Sequence, residues 1–320
     1  MTTGEILAAF RGLRVLVVGD VCLDRWCRYD PALADPSRET GIPRIGVIST
    51  EVTPGAAGTV ANNLAALGAG RVAILGMVGD DGFGYELRGA LDARGIESGL
   101  LVNAPGIPTF TYTKLINQAT EIEDLPRVDF VYTRELPQEI DREMVERFRQ
   151  VAGEFDVILV SDQAETELGG VVTPRMREAL ADVRALVWVD SRMRPEHFRN
   201  AVVKPNQHEA EAASRRLFGR VDYAAFREHI AAPALIVTFG GDGALVVTAG
   251  GEHRVRTRPV EHPVDICGAG DSFSAGAAMT LKVSGDPVLA AEFGNRVANI
   301  TIMKKGTGTA SPEEVLAADA

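Results

Sequence analysis

Val15-Leu16-Val17-Val18-Gly19 is an uninterrupted apolar run that leads straight into Asp20. A strand with no polar alternation has both faces covered, as at the centre of a parallel sheet. The pattern returns at residues 72–78, 157–161, 186–190, 235–238 and 244–248. Amphipathic helical stretches lie between several of these runs, at 57–67, 84–94, 142–152 and 174–183. Apolar strands alternating with such helices predict an α/β fold, a doubly wound and mostly parallel central sheet with helices on both faces. Residues 270–281 and 287–304 read as two further alanine-rich helices, with a loop at Gly306.

Two stretches break the alternation. Residues 44–52 and 109–116 carry β-branched and aromatic residues with period-two polarity, as strands with one wetted face do. They form either a small sheet standing off the core or a pair of edge hairpins. A length of 320 residues suits one core with a small appendage, a single domain over 1–320.

Lys and Arg number 33 against 44 Asp and Glu, a formal charge of -11. Such a surface disfavours nucleic acid and anionic membrane as partners, so an anionic ligand must find local positive charge. Cys22, Cys27 and Cys267 are too few and too scattered for a zinc site or a disulfide framework, and an odd count suits a reducing compartment. The N-terminus has no basic start followed by an apolar core, and no apolar run reaches about 18 residues. A soluble, cytoplasmic protein is expected.

Chemistry concentrates in Val264-Asp265-Ile266-Cys267-Gly268-Ala269-Gly270-Asp271-Ser272-Phe273. Gly268 and Gly270 allow close backbone approach to a ligand, and the amides opening the next helix form an anion site. Asp271 is then placed to take a proton from an attacking hydroxyl. Taken alone, the string also describes an N-capped core helix.

Asn206 and Glu209 stand three apart at a helix start, on one face. They suit either a Mg²⁺ hydration shell or a capping box. Thr238-Phe239-Gly240-Gly241-Asp242-Gly243 joins two apolar strands and reads as a hairpin turn. Asp20 and Asp24 leave the first strand where parallel sheets bind ligands, as hydroxyl acceptors or as a turn cap and a solvated charge. No P-loop and no Gly-x-Gly-x-x-Gly after the first strand is present, against P-loop and Rossmann enzymes.

These motifs, in this order, resemble the ribokinase-like (PfkB-type) sugar kinases, whose signature Asp-Thr-x-Gly-Ala-Gly-Asp is met except at Ile266. The resemblance implies that Asp271 is the catalytic base and that Gly268, Ala269 and Gly270 form the anion hole. It implies that Asn206 and Glu209 organise Mg²⁺ and ATP, that Thr238, Gly240 and Gly243 line the nucleotide site, and that Asn295 and Asn299 border the adenine. Asp20 and Asp24 become sugar ligands, with Gly55, Thr59 and Asn63 from the family's Gly-Gly-x-x-x-Asn-x-Ala signature. There Ala56 replaces a glycine and Thr59 the asparagine that touches sugar. A β-lid near 21–53 and 106–133 is implied, as are a homodimer through it and a monovalent cation such as K⁺ as a further cofactor.

Finer features resemble the heptose 7-phosphate kinase branch: the string from Gly19 to Trp26, Ser37 to Pro43, Thr113-Lys114-Leu115, Arg127-Val128-Asp129 and Ser161-Asp162. Lys114 and Arg127 are therefore substrate-binding candidates, and Arg38, Arg44 and Arg192 extend them into a basic cluster for a phosphorylated acceptor. Gln163 departs from an aromatic of that branch and Glu165 from a lysine. An unphosphorylated ketose or nucleoside acceptor, and a noncatalytic sugar-phosphate binder, are the rival readings.

Overall fold

The computed structural model describes residues 1–164, 166 and 169–319, so Glu165 lies outside the described residues. An eight-stranded sheet runs in the order Gly251–Val255, Ala244–Thr248, Ala234–Thr238, Val202–Val203, Leu186–Ser191, Val157–Asp162, Arg14–Gly19, Arg71–Leu75. Pairings from Arg71–Leu75 across to Ala234–Thr238 are parallel, and the last two strands add on antiparallel. This is the expected fold class.

Period-two alternation divides the core. Val15 and Val17 face Leu64, Trp188, Phe273 and Phe293, where helices Ala57–Ala66, Ala269–Ser284 and Pro287–Thr301 pack. Leu16 and Val18 point the other way, to Phe148, Met176 and Phe226 under helices Gln138–Val151, Pro174–Ala181 and Tyr223–His229. Each fully buried aliphatic side chain contributes about 1.5–3 kcal/mol of transfer free energy, so a strand covered twice anchors both layers.

The run at 72–78 is not one strand. Arg71–Leu75 stays in the central sheet, while Met77–Gly79 pairs with Val102–Ala104 in a separate ribbon. The break falls at Gly76, where a Cβ would stand 2.7 Å from the Gly19 carbonyl. The chain leaves the sheet where only glycine fits.

A second sheet stands off the C-terminal end of Arg14–Gly19, with the order Val47–Ala56, Val21–Tyr29, Thr111–Asn117, Ile122–Glu123, and Val128–Phe130 also paired to Thr111–Asn117. The strands of this sheet thus begin and end a few residues from the expected 44–52 and 109–116. Cys27, Tyr29 and Leu115 pack together on one side, leaving Asp24 and Trp26 on the other by strand alternation. Arg25 ties this sheet to helix Gly82–Asp92, lying 4.8 Å over the Phe83 ring and 3.1 Å from Glu86.

Gly19 is the junction between the two sheets, and a Cβ there would sit 2.1 Å from the Ser161 carbonyl oxygen. Gly19→Ala is expected to cost about 3 kcal/mol by overpacking backbone that cannot move aside. Urea unfolding followed by circular dichroism measures it; an unchanged midpoint would show that the strands separate freely.

Candidate active site

Helix Ala269–Ser284 begins after Gly268, which holds a left-handed φ of 78°, and no side chain caps it. Amides of a first helical turn have no intrahelical acceptor, so those of Gly270 and Asp271 are open to an anion. A Cβ on Gly270 would lie 3.3 Å from Lys204 Nζ. The turn therefore rests on a buried ion pair, Lys204 to Asp190 at 2.7 Å. Burial pulls the Lys204 ammonium toward neutrality, and Asp190, Glu209 and Asp271 together outweigh it and hold its pKa above the usual value.

Asp271 stands in the first turn of this helix. Burial, reinforced by Asp190, pushes its carboxyl up to about 7, against the pull of Lys204 and Arg192. A carboxylate tuned to neutral pH is what general-base catalysis requires. Asp265 fastens the turn from behind: its two oxygens accept the amides of Cys267 at 2.9 Å and Gly306 at 3.1 Å.

Thr59 and Asn63 do not reach the cleft. Thr59 is 2 % exposed, its hydroxyl directed to the Pro54 carbonyl at 3.5 Å and its methyl 3.3 Å from where a Gly268 Cβ would be. Asn63 is fully buried and donates its amide to the Thr59 carbonyl at 3.0 Å. Helix Ala57–Ala66 lies against helix Ala269–Ser284, so Thr59 packs beside the Gly268 turn while Asn63 bonds within its own helix. Gly55 makes room instead, since its Cβ would fall 2.5 Å from an Asp24 carboxylate oxygen.

Asn206 and Glu209 form a reciprocal capping box, Glu209 N–H to Asn206 Oδ1 at 2.9 Å and Asn206 N–H to Glu209 Oε2 at 2.8 Å. Glu209 is half-buried, and burial with repulsion from Asp190 pushes it up to about 6. The cap fixes both side chains on the edge nearest Lys204. Thr238 donates its amide to the Pro205 carbonyl at 3.0 Å, which seats the 238–243 hairpin beside Asn206. Gly240 and Gly243 both have positive φ, and a Cβ at Gly243 would strike the Val255 carbonyl at 2.1 Å.

Asn295 and Asn299 line a separate cleft of about 730 Å³ with Arg256 and Arg258. Asn299 donates to Thr257 Oγ1 at 3.0 Å and the Arg258 carbonyl at 2.9 Å. Asn295 is 8 % exposed, and its Nδ2 has no acceptor.

At the opposite end, Asp20 accepts the amides of Gln163 at 2.9 Å and Val171 at 2.8 Å. Burial and neighbouring Asp162 push Asp20 up to about 7, while Asp162 is held by Arg194 at 2.8 Å and Ser191 at 2.7 Å. Asp20 thereby anchors one wall of a pocket lined by Phe110, Tyr112, Val131, Tyr132 and Gln163. Asp24 is pushed up to about 6 by burial, against Lys114, the Cys22 thiol and Arg127. It also raises Asp271 slightly, so the two carboxylates lie within electrostatic reach of each other.

The expected basic cluster divides. Lys114 and Arg127 act on Asp24, with Arg127 also 2.7 Å from Asp129 and 4.9 Å over the Tyr112 ring. Arg192 acts on Asp271 and Glu209. Arg38 and Arg44 are exposed on the 30–46 connection, where Arg44 lies 3.7 Å from Asp35. Asp190 and Lys204 were absent from the expected site. Asp190 carried the same signal as Asp20, a carboxylate ending an apolar parallel strand.

A profile of the pfkB family carbohydrate kinases matches residues 14–314. Two relatives bear the name bifunctional protein HldE. That of Trichlorobacter lovleyi is 31% identical over 323 residues, 96% of this chain and 62% of the relative. That of a Caulobacter species is 32% identical over 337 residues, 98% of this chain and 64% of the relative. The chain thus spans less than two thirds of these relatives. Among solved structures, ribokinase from Thermotoga maritima superposes with a TM-score of 0.70 at 21% identity, covering 96% of this chain and 99% of that one. Phosphofructokinase-2 from Escherichia coli in complex with potassium gives 0.71 at 18%, covering 95% and 97%. Likeness at that identity speaks for the ribokinase-like fold, and the family match speaks for more: this chain belongs to the pfkB family of carbohydrate kinases.

Proposed function

We propose that this chain is one kinase domain that transfers the γ-phosphoryl group of ATP to a hydroxyl of a sugar or sugar phosphate, with Asp271 as base. The observation that carries the reading is a carboxyl in the first turn of a helix whose opening amides no side chain caps, and burial with Asp190 pushes that carboxyl up to about 7. Asp271 takes the hydroxyl proton as that oxygen bonds to phosphorus, the bond from phosphorus to the ADP oxygen breaks, and ADP leaves. The Ala269 amide of the expected 268–270 set is bound to the Ile266 carbonyl at 3.2 Å, so the open Gly270 and Asp271 amides hold the charge on the transferring group, with Lys204 as positive charge behind them. Such positioning and electrostatics supply most of the acceleration in phosphoryl transfer.

Asn206 and Glu209 suit Mg²⁺ as hard oxygen donors that leave it most of its waters, and they are the residues that would hold it. Its chemistry when bound is to neutralise phosphate charge. Among the described residues no group of three or more His, Cys, Asp or Glu forms a metal cage, so few protein ligands are called for. A monovalent cation such as K⁺ is the finer reading, prompted by the potassium complex of the phosphofructokinase-2 neighbour.

For the acceptor we favour a sugar phosphate of the heptose 7-phosphate type. The resemblance to that branch, the HldE relatives and the placement of Lys114 and Arg127 beside Asp24 support it. Among the described residues no Lys or Arg lines the pocket beside Asp20, which leaves Lys114 and Arg127 as the proposed ligands of the acceptor's phosphate. A homodimer through the lid is supported by Ile45, Val47, Ile48 and Ile122, each more than 45% exposed. No helix among the described residues is long and apolar enough to cross a membrane.

Asp271→Asn is expected to keep the fold and lower turnover at least about 10²-fold, the low end for a positioned base. Because the folded pKa lies above the usual carboxylate value, wild type binds the extra proton below about 7 and bears the cost of the buried charge above it. The variant should therefore melt higher than wild type at pH 8 and lose that advantage toward pH 5, while wild-type kcat/KM falls as pH drops through this range. Near wild-type turnover in the folded variant would remove Asp271 from the role. Glu209→Gln should raise the Mg²⁺ concentration for half activity; a lower melting temperature with unchanged Mg²⁺ dependence would leave only the cap. Heptose 7-phosphate should be preferred over free heptose and fructose by at least about 10²-fold in kcat/KM, less so at high salt. Equal use of the neutral sugars would select the unphosphorylated-acceptor reading, and binding without turnover the noncatalytic one.

A further inference from the structure

The central sheet has a second cleft, of about 510 Å³, at the edge opposite the candidate active site. Arg14 begins its strand there, Asp156 immediately precedes strand Val157–Asp162, and the Asp156 amide donates to the Arg14 carbonyl at 2.9 Å. Parallel sheets bind ligands beyond the carboxyl ends of their strands, so the topology by itself calls for no cavity at this edge.

Its charge is unlike that of the chain as a whole. Arg14, Arg149, Arg184 and Lys282 line it against Asp156 and Asp182, an excess of two positive charges on a protein of formal charge -11. Arg14 is fully engaged by Asp156, Nε to Oδ2 and Nη2 to Oδ1 each at 3.0 Å. These bonds hold the Asp156 carboxyl below its usual range, and Lys282 adds to the effect without forming an ion pair. Among the described residues Arg149, Arg184 and Lys282 make no hydrogen bond and no ion pair. All three are exposed.

A cation in the last turn of a helix is favoured by the helix dipole without any ligand, which accounts singly for Arg149 in helix Gln138–Val151 and Lys282 in helix Ala269–Ser284. It does not account for Arg184, which lies in the connection from helix Pro174–Ala181 to strand Leu186–Ser191. Nor does it explain why three separate elements bring their cations to one cavity. The rest of the lining is largely apolar, with Phe148, Phe155, Ala152 and Ala179 buried. A few polar groups on apolar walls, at this volume, describe a small-molecule site. The space far exceeds what an inorganic phosphate fills.

We propose that this cleft is a second ligand site for a small organic phosphate monoester, its phosphate held by Arg149, Arg184 and Lys282 and its hydroxyls donating to Asp182. A phosphate monoester carries nearly two negative charges at neutral pH, which the excess of the lining balances, and guanidinium groups grip it bidentately. The site is separate from the catalytic turn. Lys282 stands eleven residues beyond Asp271 on one helix, about 16 Å along its axis.

The probes are glucose 6-phosphate, adenosine monophosphate and inorganic phosphate, each added to the full chain without ATP or metal. Acetic anhydride labels Lys282, and peptide mass spectrometry follows the rate. At about ten times its Kd, at least one of the two monoesters should slow this labelling about tenfold. Inorganic phosphate at the same concentration should protect less. Arg149→Gln and Arg184→Gln, checked for folding by circular dichroism, should each raise the Kd read from protection by about tenfold, the size of one charge-assisted contact. Added salt should weaken binding to wild type in the same direction. Lys114→Gln, on the proposed acceptor side, should leave the protection of Lys282 unchanged. Labelling that neither monoester slows, protection that survives both arginine variants, or protection lost in Lys114→Gln would each overturn the proposal. Equal protection by inorganic phosphate would overturn the organic class of the ligand. Turnover enters none of these measurements, so they stand whether or not the chain transfers phosphate.

Discussion

One buried ammonium has three carboxylates to answer for. Lys204 lies 2.7 Å from Asp190 and is drawn as well by Glu209 and Asp271. Taking charges out of water costs several kcal/mol per ion, repaid only where a partner is held in good geometry. The pairing of Lys204 with Asp190 meets that condition, while burial, reinforced by the Asp190 charge, raises Asp271 to about 7 and Glu209 to about 6. The site thus keeps a deficit of positive charge where the proposed cation and phosphoryl group would meet. The fold serves that arrangement: Asp190 ends one parallel strand, Lys204 follows the next, and Asp271 opens the helix lying across them.

The central sheet was legible because strands buried on both faces announce themselves as unbroken apolar runs. The same rule missed Gly251–Val255, whose residues up to Arg254 are exposed and which pairs only at the sheet's edge. It also joined Leu75 to Met77, since a glycine inside an apolar run carries no sign of the backbone it must clear. The site was legible as motifs and illegible as roles. Asp271, Asn206 and Glu209 stand where spacing puts them, whereas Thr59 and Asn63 turned inward. Which face of helix Ala57–Ala66 meets its neighbour is a tertiary fact that no single position announces.

Function and capping are not alternatives at Asn206 and Glu209. A capping box holds two side chains by backbone amides, and that fixes them more firmly than solvent exposure would. The same economy recurs at Gly55, which supplies only the space an Asp24 oxygen occupies. Much of what positions this site is therefore main chain and absence of side chain rather than contact between functional groups.

Asp20 carries that principle furthest. It secures the Gln163 and Val171 amides, and an acceptor that grips amides is indifferent to the identity of the residues it grips. Substitution along this wall leaves its anchorage intact while altering the surface offered to the ligand. Divergence in acceptor preference can thus accumulate there one residue at a time, with the scaffold shielded from its consequences.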